Sequence, residues 1–340
     1  MVNRIEQLQN WLREHLAHEI EAFEAVSGDA SFRRYFRFNQ QEETWIAVDA
    51  PPEKESLQEF VTIAQTLKKM NVHVPEVGQV DYSLGFAILS DLGDTLMANI
   101  INDGNFERYY QKALFTLLNI YQQQHTWSLP DYNTQLLERE IDLFIDWFLI
   151  KHLGLTLSQP EQQILEATKT LLVTRALAQP QVFVHRDYHS RNLMWHQERV
   201  GVIDFQDAVI GPYTYDLVSL LKDCYLRWQP DTVRAIALNF RSQLGAILPQ
   251  VPSESVFLWD FDWMGLQRHL KAIGIFARLQ HRDNKPMYLD DIPRVLGYVI
   301  EIAETYGALS DFHAFLQKRV IPSVPINREI GNPQYKATNS

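Results

Sequence analysis

His185, Asp187 and Asn192, within "VHRDYHSRNLM", form the pattern H-x-D-x-x-x-x-N, and twelve residues beyond Asn192 the apolar run "VIDF" delivers Asp204. Phosphoryl transfer needs these parts. One carboxylate must accept the proton of an attacking hydroxyl, while a second carboxylate and an amide oxygen hold magnesium against the phosphates of ATP. Asp187 suits the first role, and Asn192 with Asp204 suits the second. Asp187 and Asn192 lie five apart in a loop, so the chain can turn one toward an acceptor and the other toward a metal. Oxygen donors of this kind favour a hard ion such as Mg²⁺. An isolated H-x-D is common, and an aspartate after a strand is usually a cap or turn residue. The two elements in this order, each after a short apolar strand, point instead to a kinase-like site. His185 and His189 are also spaced for zinc, but neither H-E-x-x-H nor a third nearby ligand accompanies them.

The strands that must carry this cluster lie around "FVH" and "VGVID", inside an otherwise helical stretch that includes "FERYYQKALFTLLNIYQQQH", "LLEREIDLFIDWFLIKHL", "PEQQILEATKTLLVTRAL" and "YDLVSLLKDCYL". Ahead of that stretch the pattern differs. Ile5, Leu8, Leu12 and Leu16 share one face of an opening amphipathic helix. "FEAVSGDASFRRYFRF" and "TWIAVDAPP" read as strands, "SLQEFVTIAQTLKKMN" as a helix, and "VPEVGQVDYSLGFAILSDLG" as a hairpin that runs out at Gly93. The expected class is α+β: a small lobe with an antiparallel sheet over 1–92, which binds nucleotide, and a larger, mainly helical lobe over 93–340 for catalysis and substrate. The polar tail 324–340 is expected to be loosely held.

Composition narrows the partners. Of 340 residues, 31 are basic and 42 acidic, and the net charge of −11 opposes attraction to nucleic acid or an anionic membrane. A small molecule is the better substrate expectation, with no obligate protein partner. The single cysteine, Cys224, cannot form an internal disulfide, and the amino end alternates charged and apolar residues, so a cytoplasmic location is expected. No apolar run approaches the roughly 20 residues that span a bilayer.

"FVHRDYHSRNLMW" followed by "VGVIDFQDAVIGPYTYDL" resembles the Brenner and metal motifs of the aminoglycoside phosphotransferase and choline kinase superfamily. That resemblance implies a two-lobed, protein-kinase-like fold using ATP and Mg²⁺. It also implies that Asp216 braces the catalytic loop, with His185 as structural support. Within the superfamily, "GDASFRRYFRF", "AVDAPPEKE", "LSDLGD" and "MGLQRHLKAIGIFARL" are similar to stretches of the bacterial anomeric sugar kinases of cell-wall recycling. This implies ATP-dependent phosphorylation of the 1-hydroxyl of N-acetylmuramate, N-acetylglucosamine, or both. Two rivals stay open: a phosphotransferase for aminoglycosides or other small alcohols, and a non-catalytic pseudokinase.

The resemblance also distributes the remaining roles. Backbone groups of Ser90, Asp91 and Leu92 would read the adenine edge, and Gly28, Ser31 and Phe32 would form the loop over the phosphates. The family usually carries a lysine or arginine on the third strand, whereas this chain has Asp49 near that place, which motivates the pseudokinase rival. Arg33, Arg34 and Lys54 are the nearest replacement cations, with Glu59 able to orient one. Arg34 is taken as the phosphate ligand and Asp49 as a holder of a basic side chain. For the sugar, Trp263 would stack while Gln267, Arg268 and Lys271 bind ring substituents or a lactyl carboxylate; Asp146 and Trp147 are further candidates.

Overall fold

The computed structural model describes residues 3–16, 19–26, 32–122 and 129–324. Asn3 starts α1 (Arg4–His15) by accepting the Ile5 N–H on its side chain, and Leu8, Trp11 and Leu12 form the buried stripe of that helix. The strands β1 (Glu21–Val26), β2 (Arg34–Gln40) and β3 (Glu43–Asp49) follow, then α2 (Leu57–Lys69), capped by Ser56, and the pair β4 (Val77–Asp81) and β5 (Phe86–Ser90). The five strands form one antiparallel sheet in the order β1-β2-β3-β5-β4. Side chains alternate across a strand, so Phe36, Phe38, Ala47, Phe86 and Ile88 all face α1 and close a core with its apolar stripe.

Next come α3 (Met97–Ile100), α4 (Phe106–Tyr121), α5 (Thr134–Leu143), a wider π-type turn over Phe144–His152, α6 (Gln159–Leu177) and β6 (Gln181–Val184). A tight hairpin, β7 (Leu193–His196) and β8 (Arg199–Val202), is followed by β9 (Val209–Pro212), α7 (Tyr215–Leu221), α8 (Pro230–Gln243), the 30-residue α9 (Glu254–Asp283), α10 (Ile292–Thr305) and α11 (Ser310–Phe315). This is the expected α+β class, with an antiparallel amino-terminal sheet and a mainly helical remainder.

Two compact units emerge, Met1–Ile120 with Asn192–Gln206, and Tyr121–Arg191 with Asp207–Ser340. The lobe boundary read from the sequence at residue 92 lies two residues past β5, the last strand of the five-stranded sheet in chain order. In the first unit the hairpin is sewn in by the Trp195 N–H donating to the Thr95 carbonyl and the Val202 N–H to the His73 carbonyl, each at 2.8 Å. Tyr109 of α4 meets Trp195 edge-on at 4.8 Å.

In the second unit α9 passes along α5 and the π-type turn, and Gly274 permits the crossing. A Cβ there would lie 2.3 Å from the Leu143 carbonyl carbon and 2.5 Å from the Phe144 nitrogen. β6 pairs with β9, so that Val184 lies opposite Val209 and the chain after β6 emerges beside the start of α7.

Candidate active site

The loop after β6 is held by a buried carboxylate. Asp216, near the start of α7, accepts the His185 N–H at 2.6 Å and the Arg186 N–H at 3.1 Å. Burial pushes its carboxyl up to about 7, against the pull of those two bonds. Arg186 is left-handed at φ 75°, an uncommon state for a residue with a Cβ. Its guanidinium anchors the turn by bonding Glu140 at 2.5 Å and the Asp207 carbonyl at 3.3 Å. The strained residue turns the next side chain, Asp187, into a different environment. Burial alone would raise the Asp187 carboxyl, but the charges of Lys271, His189, Arg186 and Arg268 outweigh it and hold the group well below the usual carboxylate range.

Asp187 borders a recess of about 90 Å³, walled by His189, Tyr215, Tyr225, Arg268, Lys271 and Phe276 among others. Lys271 donates to the Tyr215 hydroxyl at 3.0 Å and lies 3.5 Å from Glu140. Arg268 bonds the Ser219 hydroxyl and reaches the Cys224 sulfur at 3.3 Å. These two cations, expected from the sequence to meet the substrate, both line the recess that Asp187 borders.

Two other substrate candidates stand elsewhere. Gln267 is fully buried and donates to Glu140 at 3.1 Å, so it supports the cluster instead of lining the recess. Trp263 packs edge-on to Trp259 at 5.5 Å and to Tyr306 at 6.0 Å, which makes it core packing and corrects its stacking role. Asp146 and Trp147 do not line the recess either. Tyr215, Tyr225 and Phe276 supply the aromatic surface that Trp263 was expected to give. Phe276 follows Arg268 and Lys271 on the same helical face, a readable signal, whereas nothing around Tyr225 announces it.

In the first unit the β7–β8 hairpin brings its own ends together. Leu193 pairs with Val202, so Asn192 and Ile203 are neighbours and the Ile203 N–H donates to the Asn192 carbonyl at 3.2 Å. The Asn192 amide nitrogen then lies 3.3 Å from Asp204 Oδ2, and Gln206 donates to Asp204 Oδ1 at 2.8 Å. Asp204 is itself left-handed at φ 65°. It is the Asn192 amide nitrogen that faces Asp204 here; a carboxylate and an amide oxygen are nonetheless the donor types that suit Mg²⁺, which takes one or two such protein ligands and keeps several waters.

The nucleotide candidates divide. The Ser90 N–H is committed to the Glu76 carbonyl at 2.9 Å and its hydroxyl accepts the Glu76 N–H, so Ser90 is sewn into the sheet and its donor is not open to adenine. Asp91 shapes the following turn by accepting from Gly93 at 2.9 Å and from Arg37 at 2.6 and 3.0 Å, with Leu92 buried after it. Gly28 and Ser31 lie outside the described residues. Phe32 is exposed, with the Lys54 amine 4.1 Å above its ring.

Arg34 sits opposite Asp49 in register and shares its face, the one turned toward α1. Asp49 is fully buried; Oδ2 accepts Arg34 Nε at 3.0 Å and Oδ1 accepts Arg4 Nε at 2.9 Å. The carboxylate therefore holds basic side chains and its charge is met. This corrects Arg34 as the phosphate ligand: it is the partner of Asp49, on the α1 side of the sheet.

Residues 22–249 match the model of the phosphotransferase enzyme family known as APH. The chain belongs to that family. Among phosphotransferases similar to it, a Pseudomonas aeruginosa protein is 42% identical over 308 residues, covering 87% of this chain and 91% of its own. A Neisseria meningitidis protein is 36% identical, covering 92% and 95%. Both are named N-acetylmuramate/N-acetylglucosamine kinase. Two solved structures share the fold at far lower identity. Choline kinase LicA from Streptococcus pneumoniae superposes with a TM-score of 0.60 at 13% identity, covering 88% of this chain and all of its own. The ADP-bound aminoglycoside phosphotransferase APH(2'')-Ib gives 0.56 at 14%, covering 87% and 98%.

Proposed function

We propose that this phosphotransferase uses ATP to phosphorylate the anomeric 1-hydroxyl of N-acetylmuramate and N-acetylglucosamine, in the cytoplasm. The observation that carries the reading is the shared name of relatives that are 36–42% identical over most of their length.

Asp187 accepts the hydroxyl proton while the sugar oxygen bonds to the γ-phosphorus and the bond from that phosphorus to the departing ADP oxygen breaks. A carboxylate held so far below its usual range is a weak base, which suits an acceptor more acidic than an ordinary alcohol and a transition state that demands little proton transfer. Asn192 and Asp204 are the residues that would hold the metal. Bound Mg²⁺ would offset the charge of the triphosphate. Asp216 and the left-handed Arg186 fix where the Asp187 oxygens point. Arg268 and Lys271 give the recess a cationic wall that fits a carboxylate-bearing sugar and disfavours the polycationic aminoglycosides.

The test is a panel of N-acetylmuramate, N-acetylglucosamine, an aminoglycoside and choline, each with ATP and Mg²⁺. Turnover of the amino sugars with loss of their reducing ends is expected, because only phosphorylation at the 1-position blocks that end. A phosphorylated product that still reduces would refute the anomeric assignment, and turnover confined to the aminoglycoside would refute the substrate class.

A further inference from the structure

Arg34 opens β2 and Arg33 immediately precedes it, and the contacts of the two side chains lie on opposite faces of the sheet. Arg34 goes to α1 and Asp49. Arg33 goes to the other face, where its guanidinium bonds Glu55 at 3.1 Å and lies 5.1 Å over the ring of Phe60. Phe60 in turn stacks on Phe205 at 5.0 Å, and Phe205 is the residue directly after Asp204. Tyr35 lies in the same neighbourhood: burial raises its phenol, Arg33 pulls it back, and Asp204 and Glu55 push it further up. The ion pair is asymmetric, with 2% of the Arg33 side chain exposed against 20% of Glu55. An arginine buried this deeply is costly to hold, and here it stands among the residues around a metal-type carboxylate.

We infer that Arg33 is the cation that contacts the phosphate chain of the nucleotide, with Glu55 as the positioning residue that orients it. The inference rests on the kinase reading above. A guanidinium has five donors in a fixed fork, enough to keep Glu55 and donate to a phosphate oxygen at once. The two aromatic rings, Phe60 and Phe205, hold the arginine at a set depth relative to Asp204, so that the cation and the metal-binding carboxylate address one phosphate chain. Asp49 then needs no lysine in its place, because the charge arrives from the strand's other face.

The test is equilibrium binding of ADP, AMP and adenosine, with Mg²⁺, to the full chain and its variants. Arg33→Ala should weaken ADP by about 10- to 100-fold, the range of a lost charge-assisted bond, and leave adenosine within about 2-fold. Arg34→Ala should leave ADP binding unchanged and lower the thermal midpoint, since it only uncovers Asp49. Glu55→Gln should weaken ADP less than Arg33→Ala does, and should raise the KM for ATP without moving that for the sugar. Should Arg33→Ala fail to fold, Arg33→Gln is read in the same way. A folded Arg33 variant that binds ADP like wild type, or that loses ADP and adenosine equally, overturns the assignment. Wild-type protein that binds no ADP would instead refute the kinase reading itself.

Discussion

Asp187 and Asp204 are both aspartates delivered just past a strand end, one following a left-handed residue and the other left-handed itself, yet the neighbours that orient them differ in kind. Asp187 stands among Lys271, Arg186 and Arg268, so its charge is already met by the protein. Asp204 accepts from Asn192 and Gln206, two neutral amides that fix its direction. A carboxylate matched by cations offers a directed lone pair and little further attraction for a metal. Neutral amides orient a carboxylate without themselves supplying a cation. The two sites therefore differ in what they can do before any ligand is considered, and the difference lies in the neighbours and not in the residue type.

Removing each carboxylate in turn should separate these roles. Asp187→Asn is expected to slow turnover by roughly 10² to 10⁴ while Mg²⁺-dependent ADP binding persists, the usual range for a positioned acid or base. Loss of ADP binding in a folded Asp187→Asn protein would erase the distinction. Asp204→Ala should act on the other side, weakening ADP in the presence of Mg²⁺ by about 10- to 100-fold and flattening the metal titration, because Asn192 alone is a neutral ligand. An unaltered titration would make Asp204 a strand-end cap.

The mildest change sharpens the comparison through pH. Lys271 is the strongest of the cations that lower Asp187, so Lys271→Met should raise that carboxyl toward its ordinary range. Turnover needs the ionised form, so protonation would remove activity at a higher pH than in wild type, and the acid limb of the kcat profile should move upward. A limb that stays put shows that Arg186 and Arg268 suffice.

What could be read from the chain depended on how far apart the partners lie. The spacing of Asp187, Asn192 and Asp204 is local and was visible in the sequence, whereas β7, the strand whose pairing with β8 closes Asn192 onto Asp204, was not read from it. The choice between Arg33 and Arg34 was not, because it turns on the register of β2: moving the strand by one residue exchanges every side chain between faces. Glu140 was hidden for a different reason. In "LLEREIDL" it looks like one more charge on an exposed helix, and only the arrival of Arg186, Gln267 and Lys271 from distant segments shows that it is a buried hub. Trp263 was misplaced because helical spacing tells which residues share a face, and not which face meets a cavity.

The crossing at Gly274 has a consequence for anyone wishing to breed new acceptor preferences into this scaffold. Ile275 and Phe276 line the recess, and their side chains can be trimmed or exchanged while the helix stays seated. Residue 274 admits no such play, since even alanine there drives a carbon into the Leu143–Phe144 peptide and lifts the whole length of α9 that carries Arg268 and Lys271. In a saturation library, tolerated variants should crowd the two positions after it and leave 274 blank: the screw that sets the jaw of the vice sits one residue from the jaw itself.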